Sequence, residues 1–235
     1  MGHFISDQQR LWPAGHIPYE IDEACTRGEP GDRPEQESAA VLIRRAIDEW
    51  NHKTVLRLSP RTGEKDYVVF EPTQEVSQSE YVGCNGGRQS IFINLQRAQK
   101  LCAAVGGSAL GVVVHEIGHA VGLLHEHQRS DRDDYITINW DNIDPSRFCG
   151  FCVRVQEAGC EQCELLPGRP VGPYDYDSVM HYFAIQGAID PAQPAIVPVV
   201  ARAPGRHRAA RRIGRCDGLS AGDIATVAAA YTAPE

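Results

Sequence analysis

No stretch of this chain is apolar for the roughly 20 consecutive residues that a membrane-spanning helix needs, so no membrane role is expected. Positive charge is also scarce, with 23 Lys and Arg against 31 Asp and Glu and a net charge of −8. An acidic surface repels a phosphate backbone, which argues against nucleic acid as a partner. The start lacks the charged, apolar and small-residue regions of a secretion signal, and there is no internal repeat. The rest is ordinary globular composition, 42% hydrophobic and 23% charged over 235 residues. That length buries a good core, as one domain of two lobes or as two small domains. Eight cysteines in such a chain favour an oxidising compartment.

Chemistry concentrates in the run His115-Glu116-Ile117-Gly118-His119-Ala120-Val121-Gly122-Leu123-Leu124-His125. On a helix, residues four apart lie about 40° apart in projection, so His115 and His119 share a face. Gly122 can adopt a left-handed conformation, end the helix and let the chain return with His125 as a third ligand. Zinc accepts neutral imidazole nitrogen, and a catalytic site keeps three protein ligands and one open position. Glu116, beside the first ligand, can then reach the metal's water rather than the metal. Chance placement of these five residues has odds on the order of one in ten thousand for an ordinary composition. The bland alternatives are a helix with histidines on its polar face and a structural zinc site. The second needs a fourth protein ligand, and none is adjacent.

The flanking pattern agrees with a helix over 108–121, capped by Ser108 after Gly106 and Gly107. Leu110, Val113, Ile117, Ala120 and Val121 gather on one side, opposite His115, Glu116 and His119. A second long helix is predicted over 35–51, with Pro34 near its start and Ala39, Leu42, Ile43, Ala46, Ile47 and Trp50 on its apolar face. Segments 17–22, 56–58, 67–70 and 90–93 read as strands, the first at an edge or half-buried. Beyond His125 regular signals thin out: 135–138 reads as extended, and 184–212 as a long surface loop. Ser220 with Asp223 three residues later predicts a capped final helix over 220–231.

The histidine run resembles the zinc signature of the metzincin clan, and Glu126 after the third histidine resembles the astacin family. The continuation to Asp133 is similar to astacins, and Ser178-Val179-Met180-His181-Tyr182 resembles their Met-turn segment. Leu11-Trp12-Pro13 through Tyr19, Tyr81-Val82-Gly83-Cys84, and Ile213-Gly214-Arg215 with Leu219, Ser220 and Asp223 extend the likeness over roughly 10–231. Segments 143–172 and 184–212 match poorly. The chain is identified as a bacterial-type or otherwise divergent member, since Val55 and the residues after Tyr231 replace both halves of one family disulfide.

The resemblance implies an α+β fold: two lobes around a cleft, a mixed twisted sheet with two long helices above, and an irregular lower lobe with a C-terminal helix. One catalytic domain over 1–235 is expected, with the upper lobe at about 8–122 and the lower at about 123–235. The implied activity is hydrolysis of internal peptide bonds of protein or peptide substrates, with one catalytic zinc ion on His115, His119 and His125. Glu116 is the expected general base and acid. Tyr182 is expected as an oxyanion donor and extra zinc ligand, or more plainly as a core tyrosine. Met180 packs beneath the metal. Glu126 is expected to contact a processed N-terminus, or simply to pair with Arg129 or Arg132. Met1-Gly2-His3 reads as an artificial or processed start, with a signal and an inhibitory pro-segment already removed. The expected product is a secreted or periplasmic monomer.

The resemblance also implies a disulfide between Cys84 and Cys102. Cys149, Cys152, Cys160 and Cys163 form two CxxC pairs, for which disulfides are the plainer reading and a second, structural zinc the alternative. Cys25 and Cys216 remain and can pair with each other, although six cysteines allow fifteen connectivities. Segment 202–215 carries six arginines and no acid. It is either a solvated face or, near the pocket after the Met-turn, a reason to prefer Asp or Glu after the scissile bond. A zinc-stabilised binding module that has lost catalysis is the alternative from another class, and Glu116 argues against it. A different metzincin peptidase is opposed by Glu126 and the Arg129–Asp133 continuation.

Overall fold

The computed structural model describes residues 2–26, 38–153, 163, 166–199 and 213–232. Its strands are β1 (His3–Ile5), β2 (His16–Ile21), β3 (Arg57–Pro60), β4 (Tyr67–Pro72), β5 (Gln78–Ser79), β6 (Arg88–Ile93), β7 (Leu123–Leu124), β8 (Ile136–Ile138), β9 (Gly168–Pro170) and β10 (Ile196–Pro198). The helices are α1 (Ala39–Lys53), α2 (Leu95–Ala104), α3 (Leu110–Val121) and α4 (Ala221–Tyr231). The main sheet has the order β3-β2-β4-β6-β5. Its first four strands are parallel, and β5 runs antiparallel along the edge beside β6. β2 is therefore an interior strand and not an edge. Its burial is confined to Ile17 and Pro18, the other residues being half-buried or exposed.

Helices α1 and α3 pack their apolar faces on this sheet. Ile43, Ala46, Ile47 and Trp50 of α1 meet Val113, Ile117 and Ala120 of α3 within the main core, alongside Ile17, Phe70 and Ile91 from the strands. Two indoles hold α3 at fixed height: Trp50 Nε1 donates to Val114 O at 3.2 Å, and Trp12 Nε1 donates to Ala120 O at 2.7 Å. Buried indole N–H groups need such acceptors, so each tryptophan both fills the core and fixes an orientation.

Two helix starts differ from the sequence reading. α1 begins at Ala39, and Pro34 lies outside the described residues. α3 begins at Leu110, with Ala109 at its cap, and Ser108 Oγ accepts from Leu110 N at 3.3 Å. Helix α2 has no counterpart in the sequence reading. It forms because the Asn94 side chain accepts from Arg97 N at 3.0 Å, capping a turn whose Leu95, Ala98 and Cys102 face the core.

The second half of the chain uses smaller sheets. β1 lies between β7 and β9, and β8 pairs antiparallel with β10. The predicted extended segment at 135–138 is thus β8, and β10 interrupts the expected loop at 184–212, of which 200–212 lie outside the described residues. A separate apolar cluster of Ile136, Ile138, Phe151, Tyr174, Tyr176 and Ile196 supports this region. α4 instead packs Val227 and Ala230 into the main core, and it starts with the predicted reciprocal cap between Ser220 and Asp223.

The disulfides correct two expectations. Cys102 pairs with Cys216 and not with Cys84, and Cys216 consequently does not pair with Cys25. Cys25 and Cys84 are free thiols, the first buried. The cause is backbone approach. A Cβ at Gly107 or Gly111 would collide with Cys216, so the two glycines let the chain before α4 press onto the start of α3, beside Cys102. Cys84 is instead held away, its N–H donating to Arg10 O at 2.7 Å. Cys149 pairs with Cys163, and Cys152 is also disulfide-bonded, as the plainer reading of the CxxC pairs anticipates; Cys160 lies outside the described residues.

Candidate metal centre

α3 carries two of the three histidines one turn apart, and Gly122 ends it at φ 116°, its N–H reaching His119 O at 2.9 Å. The left-handed residue turns the chain through β7, which brings His125 back over the helix. Ligand atoms of His115, His119 and His125 all lie within 4.8 Å of one another. His119 Nε2 and His125 Nε2 approach to 3.2 Å.

The other nitrogen of each ring is engaged. His115 Nδ1 donates to Val179 O at 2.8 Å, His119 Nδ1 to Leu123 O at 2.9 Å, and His125 Nδ1 meets Gln128 Oε1 at 2.8 Å. Carbonyl oxygen can only accept, so these contacts place the proton on Nδ1 and turn the Nε2 lone pairs inward. Burial then holds all three rings neutral. It lowers the His115 pKa, takes His119 to about 3 with help from neighbouring His115, and depresses His125 strongly. Three neutral nitrogens converging on one point fit zinc, and their number leaves a coordination position open.

Glu116, next to His115 on α3, is 6% exposed, with Oε2 accepting Ser79 N–H of edge strand β5 at 2.9 Å. Burial pushes its carboxyl up to about 8, against the opposing Ser79 hydrogen bond. A divalent cation at the histidines favours the charged form.

The Met-turn lies directly below. Met180 is buried, and a Cβ added at Gly118 would lie 2.6 Å from its Sδ, so this glycine admits the sulfur under α3. Tyr182 packs against His125 with ring centroids 4.7 Å apart and stacks on His127 at 4.0 Å. Its phenol is pushed up to about 12, first by burial and then by the Glu116 charge, with Arg147 opposing.

Glu126 is fully buried. Its Oε1 accepts Asp175 N–H at 2.7 Å and pairs with Arg129 at 3.3 Å, while its Oε2 has no hydrogen-bond partner among the described residues. That oxygen faces the N-terminal segment: a Cβ built on Gly2 would stand 3.6 Å from it.

Sequence reasoning missed three supporting groups. Ser79 carries no local signal, being an ordinary polar residue next to the motif only in space, and Gln128, three residues after His125, carries none that separates it from its polar neighbours. Asp223 was legible as a helix cap, but its carboxylate also accepts from Ser178 Oγ at 2.5 Å and Val179 N at 3.0 Å, holding the Met-turn.

The model of the Astacin peptidase family matches residues 4–232. The chain belongs to the astacin family. Its astacin relatives include zinc metalloproteinase nas-14 of Caenorhabditis elegans, 31% identical over 83% of this chain and 34% of that protein. Nematocyst expressed protein 6 of Nematostella vectensis is 34% identical over 91% of this chain and 62% of that protein. The chain thus spans about a third to three-fifths of the length of these relatives. Among solved structures, high choriolytic enzyme 1, a hatching-enzyme zinc protease of the medaka Oryzias latipes, superposes with a TM-score of 0.70 at 27% identity over 97% of each chain. Astacins are zinc metalloendopeptidases, and the converging histidines are where such an enzyme would carry its metal.

Proposed function

We propose that this chain is a secreted zinc endopeptidase that cleaves internal peptide bonds, with a single catalytic ion on His115, His119 and His125. The observation that carries the reading is the convergence of three Nδ1-committed imidazoles, with a buried carboxylate, Glu116, next to His115 on the same helix. The bound metal would acidify a water and polarise the scissile carbonyl. Glu116 takes the water's proton during attack and delivers it to the departing amine. The Tyr182 hydroxyl, on a ring packed against His125, would stabilise the developing oxyanion and would be the further residue available to hold the metal. Met180 sets the floor under the ligands. Edge strand β5 anchors Glu116 through Ser79 N–H.

The reading is one catalytic domain, with an upper lobe at about 8–122 and a lower lobe at about 123–235; the main core spans both, since Val179, Met180, Leu219 and Val227 join the residues of α1 and α3. β1 joins the lower lobe through β7 and β9. The unpartnered Glu126 oxygen beside Gly2 supports a contact between Glu126 and the N-terminal segment, which removal of a pro-segment would complete. Disulfides at Cys102–Cys216 and Cys149–Cys163 support an oxidising, extracellular or periplasmic location. No helix among the described residues is long and apolar enough to cross a membrane. The enzyme is read as a monomer and as a bacterial-type or otherwise divergent member of the family.

We read a preference for Asp or Glu after the scissile bond. Most of the arginine run behind this lies outside the described residues, and Arg215 is paired with Asp217 at 2.8 Å. Exposed Arg147, whose charge opposes the rise in the Tyr182 phenol pKa, supports this reading as a cation in the same region. The test is digestion of a complex peptide library with and without a zinc chelator. Chelator-sensitive internal cuts followed by acidic residues are expected. Chelator-resistant cleavage refutes the zinc chemistry, and indifference to the following residue refutes the preference.

A further inference from the structure

We infer that Gln128 is a positioning residue for the third metal ligand, and that it makes the disulfide-linked turn at 149–152 part of the metal site. The inference rests on the reading of His115, His119 and His125 as zinc ligands. Gln128 Nε2 lies 3.0 Å from Cys152 O and 3.2 Å from Cys149 O. Two main-chain carbonyls can only accept, so the atom facing them is the amide NH2, with both protons spent. The amide oxygen is thereby turned to His125 Nδ1 at 2.8 Å. That oxygen also only accepts, so Nδ1 carries the ring proton and Nε2 keeps its lone pair for the metal. Rotating the amide by 180° would set NH2 against Nδ1, favour the opposite tautomer and place a proton on the ligating atom.

The other two ligands are not exposed to this risk, because main-chain carbonyls of Val179 and Leu123 hold them. His125 alone is oriented by a side chain, and the turn at 149–152 prevents that side chain from flipping. The turn itself is cross-linked through Cys149–Cys163, and Cys152 is disulfide-bonded as well. It has a second grip one residue away, where His127 Nε2 donates to Gly150 O at 2.8 Å. This turn falls in the stretch where resemblance to the astacins is poorest.

The experiment is competition for zinc between the purified chain and a chromophoric chelator. Gln128→Leu is expected to weaken zinc binding by about 10–100-fold, the usual effect of removing a partner behind a metal-bound histidine. Cys149→Ala/Cys163→Ala should weaken it too, and adding Gln128→Leu to that variant should change little, because both act through one contact. Zinc binding by Gln128→Leu within about twofold of wild type, or two effects that multiply, would overturn the proposal. A measurement on the unaltered, metal-free chain guards against variants that fail to fold: the 15N spectrum of His125 should show the Nδ1–H tautomer, and an Nε2–H tautomer overturns the proposal. A wild-type chain that takes no zinc would instead sink the metal reading beneath it.

Discussion

Replacing both Cys102 and Cys216 by alanine is the sharpest perturbation of this fold, because that bond encloses the whole metal site. The cysteines are 114 residues apart, and the loop between them holds the three histidines, Glu116, Met180 and Tyr182. For a closed loop of 114 residues the chain-entropy model gives about 16 cal/mol/K, or about 5 kcal/mol at room temperature. Both sulfurs are at most 1% exposed, so their loss also leaves unfilled space beside Gly107 and Gly111 and adds to the penalty. A domain with only about 5–15 kcal/mol to lose should become marginal. The melting midpoint should fall by roughly 10–20 °C, at 2–4 °C per kcal/mol for this size. Urea unfolding should be followed in chelator, since bound zinc would cross-link part of the same loop and mask the effect. Peptide mapping without reductant provides the independent check and should recover linked fragments containing Cys102 and Cys216. An unchanged midpoint, or a linked fragment joining Cys84 to Cys102, would refute the argument.

Other perturbations read different parts of the site. Glu116→Gln should keep its zinc by elemental analysis while peptide cleavage falls by about 10²–10⁴-fold, the contribution of a positioned general base; near-wild-type turnover would remove Glu116 from the chemistry. Gly118→Ala drives a methyl against Met180 Sδ and should cost about 1–3 kcal/mol in urea unfolding, as overpacking does. Asp223→Ala strips acceptors from Ser178 Oγ, Val179 N and Ser220 N, so a loss of about 3 kcal/mol or more is expected, with a smaller loss for Asp223→Asn. The buried Cys25 thiol is pushed up to about 12 by desolvation and then by nearby Asp22 and Glu71. Alkylation at pH 8, read by mass spectrometry, should therefore label half-buried Cys84 in the native protein and Cys25 only after unfolding.

What could be read from the sequence was short-range. The helix with His115 and His119, the break at Gly122 and the return of His125 all follow from spacing within eleven residues, where chain geometry leaves little choice. The Ser220–Asp223 cap was legible for the same reason. β1 was not, because three residues carry no periodicity and its pairing with β7 and β9 depends on chain more than a hundred residues away. α2 was hidden because its cap, Asn94, directly follows strand β6, and ten residues offer few apolar repeats. The disulfide expectation failed on a long-range fact, the approach of Cys216 to α3 that Gly107 and Gly111 permit.

The same division runs through the metal centre itself. Two ligands find their outer hydrogen-bond partners locally: His119 in Leu123, four residues on, and His125 in Gln128, three residues on. His115 depends on Val179 O, 64 residues away. That carbonyl is presented by the Met-turn, whose Val179 N–H and Ser178 hydroxyl are in turn held by Asp223, 44 and 45 residues further along on α4. The eleven-residue motif therefore supplies every imidazole ligand but only part of their orientation. The first histidine of the motif is held in the metal-ready tautomer by a carbonyl whose turn is itself fastened to α4. A motif that is complete in sequence thus remains an incomplete site until the C-terminal helix is in place.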